Sequence, residues 1–338
     1  MRAVEIRDRF GLEQLALTER ATLEPGPGQI RLRLAAAALN YRDLLMVRGQ
    51  YNPRQPLPLI PGSDGVGRVA ALGPGVTRVA AGDRVAPIFA QRWIAGEPTR
   101  ERLRSTLGGP LDGTFAEELV VDAESVVRVP EPLTDVEAAT LPCAAVTAWN
   151  ALFTQGELEA GTTVLVQGTG GVALFALQFA RLAGARVIVT SSRDDKLERA
   201  RQLGAWETIN YRAVPDWGKQ AQRLTDGRGV DLVIELGGAG TLAQSLAAVR
   251  CGGRVMLLGV LAGGAAEVSI VPVFMQQVRI QGLLVGDRES FERMNRAIAA
   301  HELRPVVDRV FPLAQAREAL EYLAREEHFG KVCLSMAP

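Results

Sequence analysis

The chain carries no surplus of charge of either sign. Lysine plus arginine number 38 and aspartate plus glutamate number 38, so the formal net charge is zero. Without a basic excess there is little to neutralise nucleic-acid phosphates, and no polybasic run marks a membrane surface. No apolar stretch approaches the roughly 18 residues needed to cross a bilayer. The opening "MRAVEIRDRF" is charged early and lacks the apolar segment of a secretory signal. Cysteine is scarce: Cys143, Cys251 and Cys333 stand far apart and form no CxxC pair. That excludes a disulfide framework and points to a reducing compartment. Internal repeats and low-complexity stretches are missing as well. The expectation is a soluble cytoplasmic protein that binds neither nucleic acid nor membrane.

What is present divides the chain into two textures. A length of 338 residues suggests about two domains at roughly 150 residues each. Hydrophobic residues make up 47% and charged residues 22%, which is ample core material for a globular fold. Up to about residue 130, short β-type runs such as "QIRLRLAAAALN" and "DGVGRVAALGPGV" alternate with Gly/Pro punctuation. That texture reads as an antiparallel barrel or sandwich. Beyond it, strands and helices alternate, as in a parallel sheet covered on both faces. Strands are expected at Thr163–Gln167, Arg186–Thr190, Glu207–Asn210, Asp231–Glu235, Arg254–Leu258 and Arg279–Val285. Helices are expected between them, including Val172–Ala183 and Asp195–Leu203. The segment after Asp287 loses the βα rhythm and rejoins the first domain. The domain reading is therefore 1–130 with 287–338, and 131–286.

The segment Gly168-Thr169-Gly170-Gly171-Val172-Ala173 matches G-x-G-x-x-G/A between an expected strand and an expected helix. In this motif the first glycine makes the tight turn and the second lets backbone approach a pyrophosphate. The small Ala173 lets helix and strand pack closely. The helix N-terminus adds unpaired N–H groups and positive dipole. The expected ligand is a dinucleotide. Its identity turns on the end of the next strand, where NAD calls for an acid and NADP for cations. Ser191, Ser192 and Arg193, with Lys196 nearby, suit a 2′-phosphate, hence NADP. Asp194 or Asp195 would serve NAD instead, and Ser192 can equally cap the following helix. Tyr211 ends the third strand, either against the adenine ribose or with its hydroxyl exposed. Leu236 and Gly237, and the turn Gly259-Val260-Leu261, lie at C-terminal strand ends, where open α/β sheets bind ligands.

With these residues in place, the sequence resembles the medium-chain dehydrogenase/reductase superfamily along nearly its whole length. The resemblance rests on "EPGPGQIRLRL", "IPGSDGVGRVAALGPGVTRVAAGDRV", "LPCAAVTAWNAL", the glycine-turn segment and "GKV" near the end. It implies an α/β fold that joins a GroES-like antiparallel β-barrel to a doubly wound Rossmann sheet. Zinc enzymes of that superfamily carry Cys, His and commonly Cys at positions that fall here on Asn40, Ser63 and Cys143. No cysteine lies between Phe89 and Phe115, where a structural zinc loop would stand, and His301 and His328 lie outside these motifs. One thiol cannot replace the three or so protein ligands of a catalytic zinc. The resemblance is thus to the zinc-free branch, the quinone oxidoreductases and their alcohol dehydrogenase-like relatives. It implies hydride transfer from NAD(P)H, NADPH on the Ser191–Arg193 reading and NADH less readily, to a quinone, enone or similar small-molecule acceptor, with no zinc and at most a weak oxygen-rich site at Asn40, Ser63 and Asp64.

The resemblance also implies roles for further residues. Asn40, Tyr41 and Arg42 of "NYRD" would lie beneath the nicotinamide; Tyr41 either donates a proton to the product or packs against the cofactor. Arg42 either reaches the pyrophosphate or is a solvated surface cation. Asp43 and Asp64 organise turns, and Cys143 is a small core residue. Thr147 would touch the nicotinamide, and Leu284, Val285 and Gly286 its carboxamide. Gly330 and Lys331 would return to the cofactor phosphates. A homodimer is implied, with the apolar segment Val268–Phe274 in its interface. Alternative readings are an alcohol dehydrogenase acting on simple alcohols, or a non-catalytic NAD(P)-binding sensor.

Overall fold

A computed structural model describes residues 1–337. The chain divides into two compact units, 1–146 with 286–338 and 147–285. In the first, β1 (Arg2–Ile6) and β2 (Leu15–Glu19) form an antiparallel pair. β3 (Gln29–Ala38) buries Ile30, Leu32 and Leu34 while Arg31 and Arg33 face outward, the period-two pattern of a half-buried strand. The helix α1 (Tyr41–Val47) leads to β4 (Asp64–Leu72) and β5 (Arg84–Pro87). After the short α2 (Arg100–Leu103) come β6 (Glu118–Asp122), β7 (Val126–Arg128) and α3 (Asp135–Ala139).

The segment 131–146, grouped with the second domain by texture, packs in the first unit. Its helix α3 buries Ala138 and Ala139 and sits against β3 and β4. The change from β to helical texture comes before the change of core, so composition places the boundary too early. Next the chain winds through α4 (Val146–Trp149), flanked by wider π-type turns at Leu141–Ala145 and Asn150–Thr154.

The second unit alternates strand and helix. Its strands are β8 (Thr163–Gln167), β9 (Arg186–Ser191), β10 (Glu207–Asn210), β11 (Val230–Glu235), β12 (Val249–Leu257) and β13 (Arg279–Gly282). The helices between them are α5 (Gly171–Leu182), α6 (Asp194–Gln202), α7 (Trp217–Leu224), α8 (Leu242–Ala248) and α9 (Val271–Met275). All six strands are parallel, in the order β10-β9-β8-β11-β12-β13. This is the doubly wound arrangement, with its topological switch between β8 and β11. Every residue of β8 is buried, as a central strand covered on both faces requires. The expected strands all form; β13 stops at Gly282, which leaves Leu284 and Val285 in a loop.

The returning tail consists of α10 (Arg288–Ala300), β14 (Val307–Pro312), α11 (Ala316–Ala324) and β15 (Lys331–Ser335). Asp287 caps α10 through Ser290 N–H at 2.8 Å. β15 pairs antiparallel with β3 and parallel with β14, so the tail completes the first unit's seven-stranded sheet, with β6 on β3 beside that path. This places Lys331 beside α1. No helix among the described residues is long and apolar enough to cross a membrane.

Candidate functional site

In the second unit the glycine turn stands at the C-terminal end of β8, beside the switch point. Gly168 has φ +78°, a conformation L side chains avoid, and a Cβ built there meets nothing within 4 Å. The turn is therefore open above the strand, and a side chain would fill that space. Gly170 is the N-cap of α5, with no side chain closing the helix end. Thr169 and Ala173 are buried, while Gly168, Gly170, Gly171 and Val172 remain partly exposed. The open cradle and bare helix end fit a pyrophosphate.

At the end of β9, Ser191 is buried and its Oγ accepts from the Arg193 N–H at 3.4 Å. The N-cap of α6 is Arg193, not Ser192. Its guanidinium forks onto Asp195 at 2.9 and 2.7 Å, and that contact holds the Asp195 carboxyl below its usual range. Both partners are exposed, so the pair is weak and open to competition. Asn210 donates to Asp194 at 2.8 Å. Lys196 is buried in the first turn of α6, whereas the Tyr211 ring is exposed. Thr147 is buried.

Sequence reading missed the polar cluster beneath this turn. Gln167 immediately precedes Gly168, and Glu235 ends β11 fully buried. Gln167 Nε2 donates to Glu235 at 2.6 Å and to Ser245 at 2.8 Å. Gln167 Oε1 accepts from the N–H groups of Leu236 and Gly237, both at 3.0 Å. Glu235 also accepts from Gly238 N–H at 2.8 Å, from Thr241 at 2.5 Å and from Ser245 Oγ–H. Leu236 and Gly237 are thus fixed by this cluster, and their amides are already engaged. The signal was present: one polar residue closes each of two otherwise apolar strands, "TVLVQ" and "VDLVIE". Gly259, Val260 and Leu261 form the neighbouring turn, where Leu261 N–H donates to Leu236 at 3.2 Å. Val285 is buried at φ +51°, and its carbonyl accepts from Asn150 at 2.7 Å.

The first unit holds a second buried polar cluster around α1. Asn40 is the N-cap, and its N–H donates to Asp43 Oδ2 at 2.8 Å. Asn40 Nδ2 donates to Ser63 Oγ at 3.3 Å, and Ser63 Oγ–H donates to Asp64 at 2.8 Å. The Cys143 N–H reaches Asp64 at 3.2 Å. Lys331 Nζ donates to Leu39 O at 2.7 Å and to Asn40 Oδ1 at 2.6 Å, and lies 3.8 Å from Asp64 Oδ2. Burial pushes Asp43 up to about 6, against the pull of Arg42. Asp64 is raised by burial too, with Lys331 opposing. Burial, and then Asp64, push the Cys143 thiol well above its ordinary range, so it stays protonated.

Two cations expected at the cofactor face inward instead. Lys331 is buried against two carbonyl-type oxygens by Gly330, which has φ +95° and no space for a Cβ beside Val306 O. Arg42 is buried as well, donating to Leu107 O at 2.8 Å and Gly109 O at 3.2 Å, over the rings of Tyr51 and Phe89. Neither guanidinium nor ammonium presents a surface to a phosphate. Tyr41, beside them, is half-buried and packs on the first unit's core.

These donors do not fit a divalent metal. Asn40 Oδ1, the one amide oxygen near Ser63, already accepts from an ammonium. Among the described residues no three His, Cys, Asp or Glu side chains stand together as a metal-binding group.

Known proteins resemble the chain throughout. Residues 26–131 match the alcohol dehydrogenase GroES-like domain, and residues 171–300 match the zinc-binding dehydrogenase family. A zinc-type alcohol dehydrogenase-like protein of Schizosaccharomyces pombe is 44% identical over 316 residues, covering 92% of this chain and 91% of that protein. The crystal structure of an NAD-dependent alcohol dehydrogenase superposes with a TM-score of 0.92 at 37% identity, covering 100% of both chains. A cobalt- and zinc-bound thermostable alcohol dehydrogenase from Pyrobaculum aerophilum gives a TM-score of 0.84 at 32% identity, covering 99% of both. The chain belongs to the medium-chain dehydrogenase/reductase superfamily and stands among its alcohol dehydrogenase-like, NAD(P)-dependent oxidoreductases.

Proposed function

We propose that this protein is a zinc-independent reductase that prefers NADPH to NADH and acts on a quinone, an enone or a similarly activated carbonyl compound. The observation that carries the reading is the Asn40–Ser63–Asp64–Lys331 cluster, which closes on itself where the zinc enzymes carry metal ligands. Without a Lewis acid, the favoured acceptor is one whose reduced form is already a stabilised anion. The bound nicotinamide would supply the hydride. The open Gly168 turn and the uncapped start of α5 would hold the pyrophosphate. Arg193, whose exposed guanidinium pairs with Asp195, would turn toward a 2′-phosphate. The Tyr41 hydroxyl is the candidate to deliver a proton to the acceptor oxygen.

Steady-state oxidation of NADPH and NADH with a panel of quinones, enones, simple ketones and alcohols tests the reading. Turnover with quinones or enones, faster with NADPH, is expected. Turnover confined to simple alcohols and ketones would favour the alcohol dehydrogenase reading. Tight NADPH binding without turnover on any acceptor would favour the sensor reading.

We also propose a homodimer built on the edge of the second unit's sheet. β13 is the edge strand and all four of its residues are exposed. In the segment before it Ile270, Phe274 and Met275 are 72%, 61% and 70% exposed, large apolar side chains left uncovered. A second copy pairing at β13 would cover both. Light scattering should give about 73 kDa, twice the 36.3 kDa chain, and Ile280→Glu should return the monomer mass. A monomeric parent protein would contradict the proposal.

A further inference from the structure

Lys331 is only 3% exposed, and a buried ammonium is costly unless fixed acceptors surround it. Two of its donors are taken by Leu39 O at 2.7 Å and Asn40 Oδ1 at 2.6 Å, and Asp64 lies 3.8 Å away. Because Asn40 Oδ1 faces the ammonium, its Nδ2 must face Ser63. Ser63 then has its proton directed at Asp64. The chain of donors runs from Lys331 through Asn40 and Ser63 to Asp64, and the ion pair closes it. Each link fixes the orientation of the next, so the ring has one arrangement, and its Asn40 amide oxygen is already taken by the ammonium.

We propose that Lys331 is a built-in positioning cation that takes the electrostatic place of a metal ion in this cluster. Its fixed charge orients Asn40 and Ser63, balances Asp64 and repels divalent cations from the same space. The proposal deepens the zinc-free reading above and rests on it. It also explains why an ammonium expected at the cofactor is spent inside the first unit.

The test asks whether a metal site can be rebuilt with the ammonium in place. The full-length double variant Asn40→Cys/Ser63→His adds a thiol and an imidazole near Cys143. Two triple variants add Lys331→Met or Lys331→Gln, the second keeping a hydrogen-bonding side chain should the first fail to fold. Cobalt(II) is the probe, read from its thiolate charge-transfer and d–d absorption, with circular dichroism as the folding check. A folded triple variant is expected to bind cobalt about 100-fold more tightly than the double variant, roughly 2.7 kcal/mol. Equal affinities would overturn the role of Lys331. Stoichiometric zinc retained by the unaltered protein after chelation would instead overturn the zinc-free reading, so the two failures are distinguishable.

Discussion

The two units each bury a carboxylate, and they settle the cost in opposite ways. Glu235 in the second unit is surrounded by neutral donors: an amide, two hydroxyls and a backbone N–H. Asp64 in the first unit faces an ammonium, a hydroxyl and a backbone N–H, with Asp43 and Arg42 close by. Dipoles pointed at one carboxylate make a rigid brace, and Glu235 braces the residues before and behind the switch point. A cluster of opposed charges instead couples several groups, so removing any member leaves another uncompensated. The first arrangement serves to hold a turn; the second sets a local field.

The largest break in this comparison is Glu235→Ala. It leaves Gln167, Thr241, Ser245 and the Gly238 N–H short of a buried acceptor, at a cost of roughly 3 kcal/mol or more in stability. Denaturant unfolding should record that loss, and Glu235→Gln should recover part of it. Weakened NADPH binding should accompany it, because Gln167 joins directly to Gly168. Unchanged stability would remove the brace from the account.

The next test sharpens the contrast through pH. Asp43 is raised to about 6 when folded, so between about pH 4 and pH 6 the native state holds a proton that the unfolded chain has released. Its contribution to stability is full below the ordinary carboxylate range and is lost as pH rises through 6. Carboxyls held low by their donors, Glu5 by the Arg20 guanidinium and Glu117 by the Arg2 backbone N–H and then its guanidinium, act in the opposite sense and lose their contribution as pH falls. Asp43→Asn should remove the first component alone, amounting to roughly 2–3 kcal/mol between those limits. Unfolding midpoints of the two proteins at pH 4.5 and 7 would measure it; parallel profiles would contradict it.

The smallest effect concerns the exposed Arg193 at the start of α6. Arg193→Ala should weaken NADPH about tenfold and leave NADH nearly unchanged, roughly 1.4 kcal/mol of selectivity. Equal losses for both nucleotides, followed by fluorescence titration, would mean that Arg193 does not read the 2′-phosphate.

Much of this molecule was legible from local pattern. The apolar run before Gly168 and the apolar helix behind it specify β8 and α5, because both periodicities lie within neighbouring residues. The glycine turn was legible for the same reason. The clusters were not, since their partners meet only in the fold: Gln167 and Glu235 are 68 positions apart, and Asn40 and Lys331 are 291 apart. A cation next to a glycine in a tail reads as a cofactor contact or a surface group until β15 pairs with β3 and turns it inward. Arg42 misled in a similar way, because the carbonyls of Leu107 and Gly109 that bury it belong to a distant loop.

The most direct measurement of the central claim is turnover of chelator-dialysed protein whose zinc content has been measured by mass spectrometry. The account predicts less than about 0.1 zinc per chain and undiminished reduction of a quinone or enone by NADPH. Activity that vanishes on chelation and returns in proportion to added zinc would contradict it.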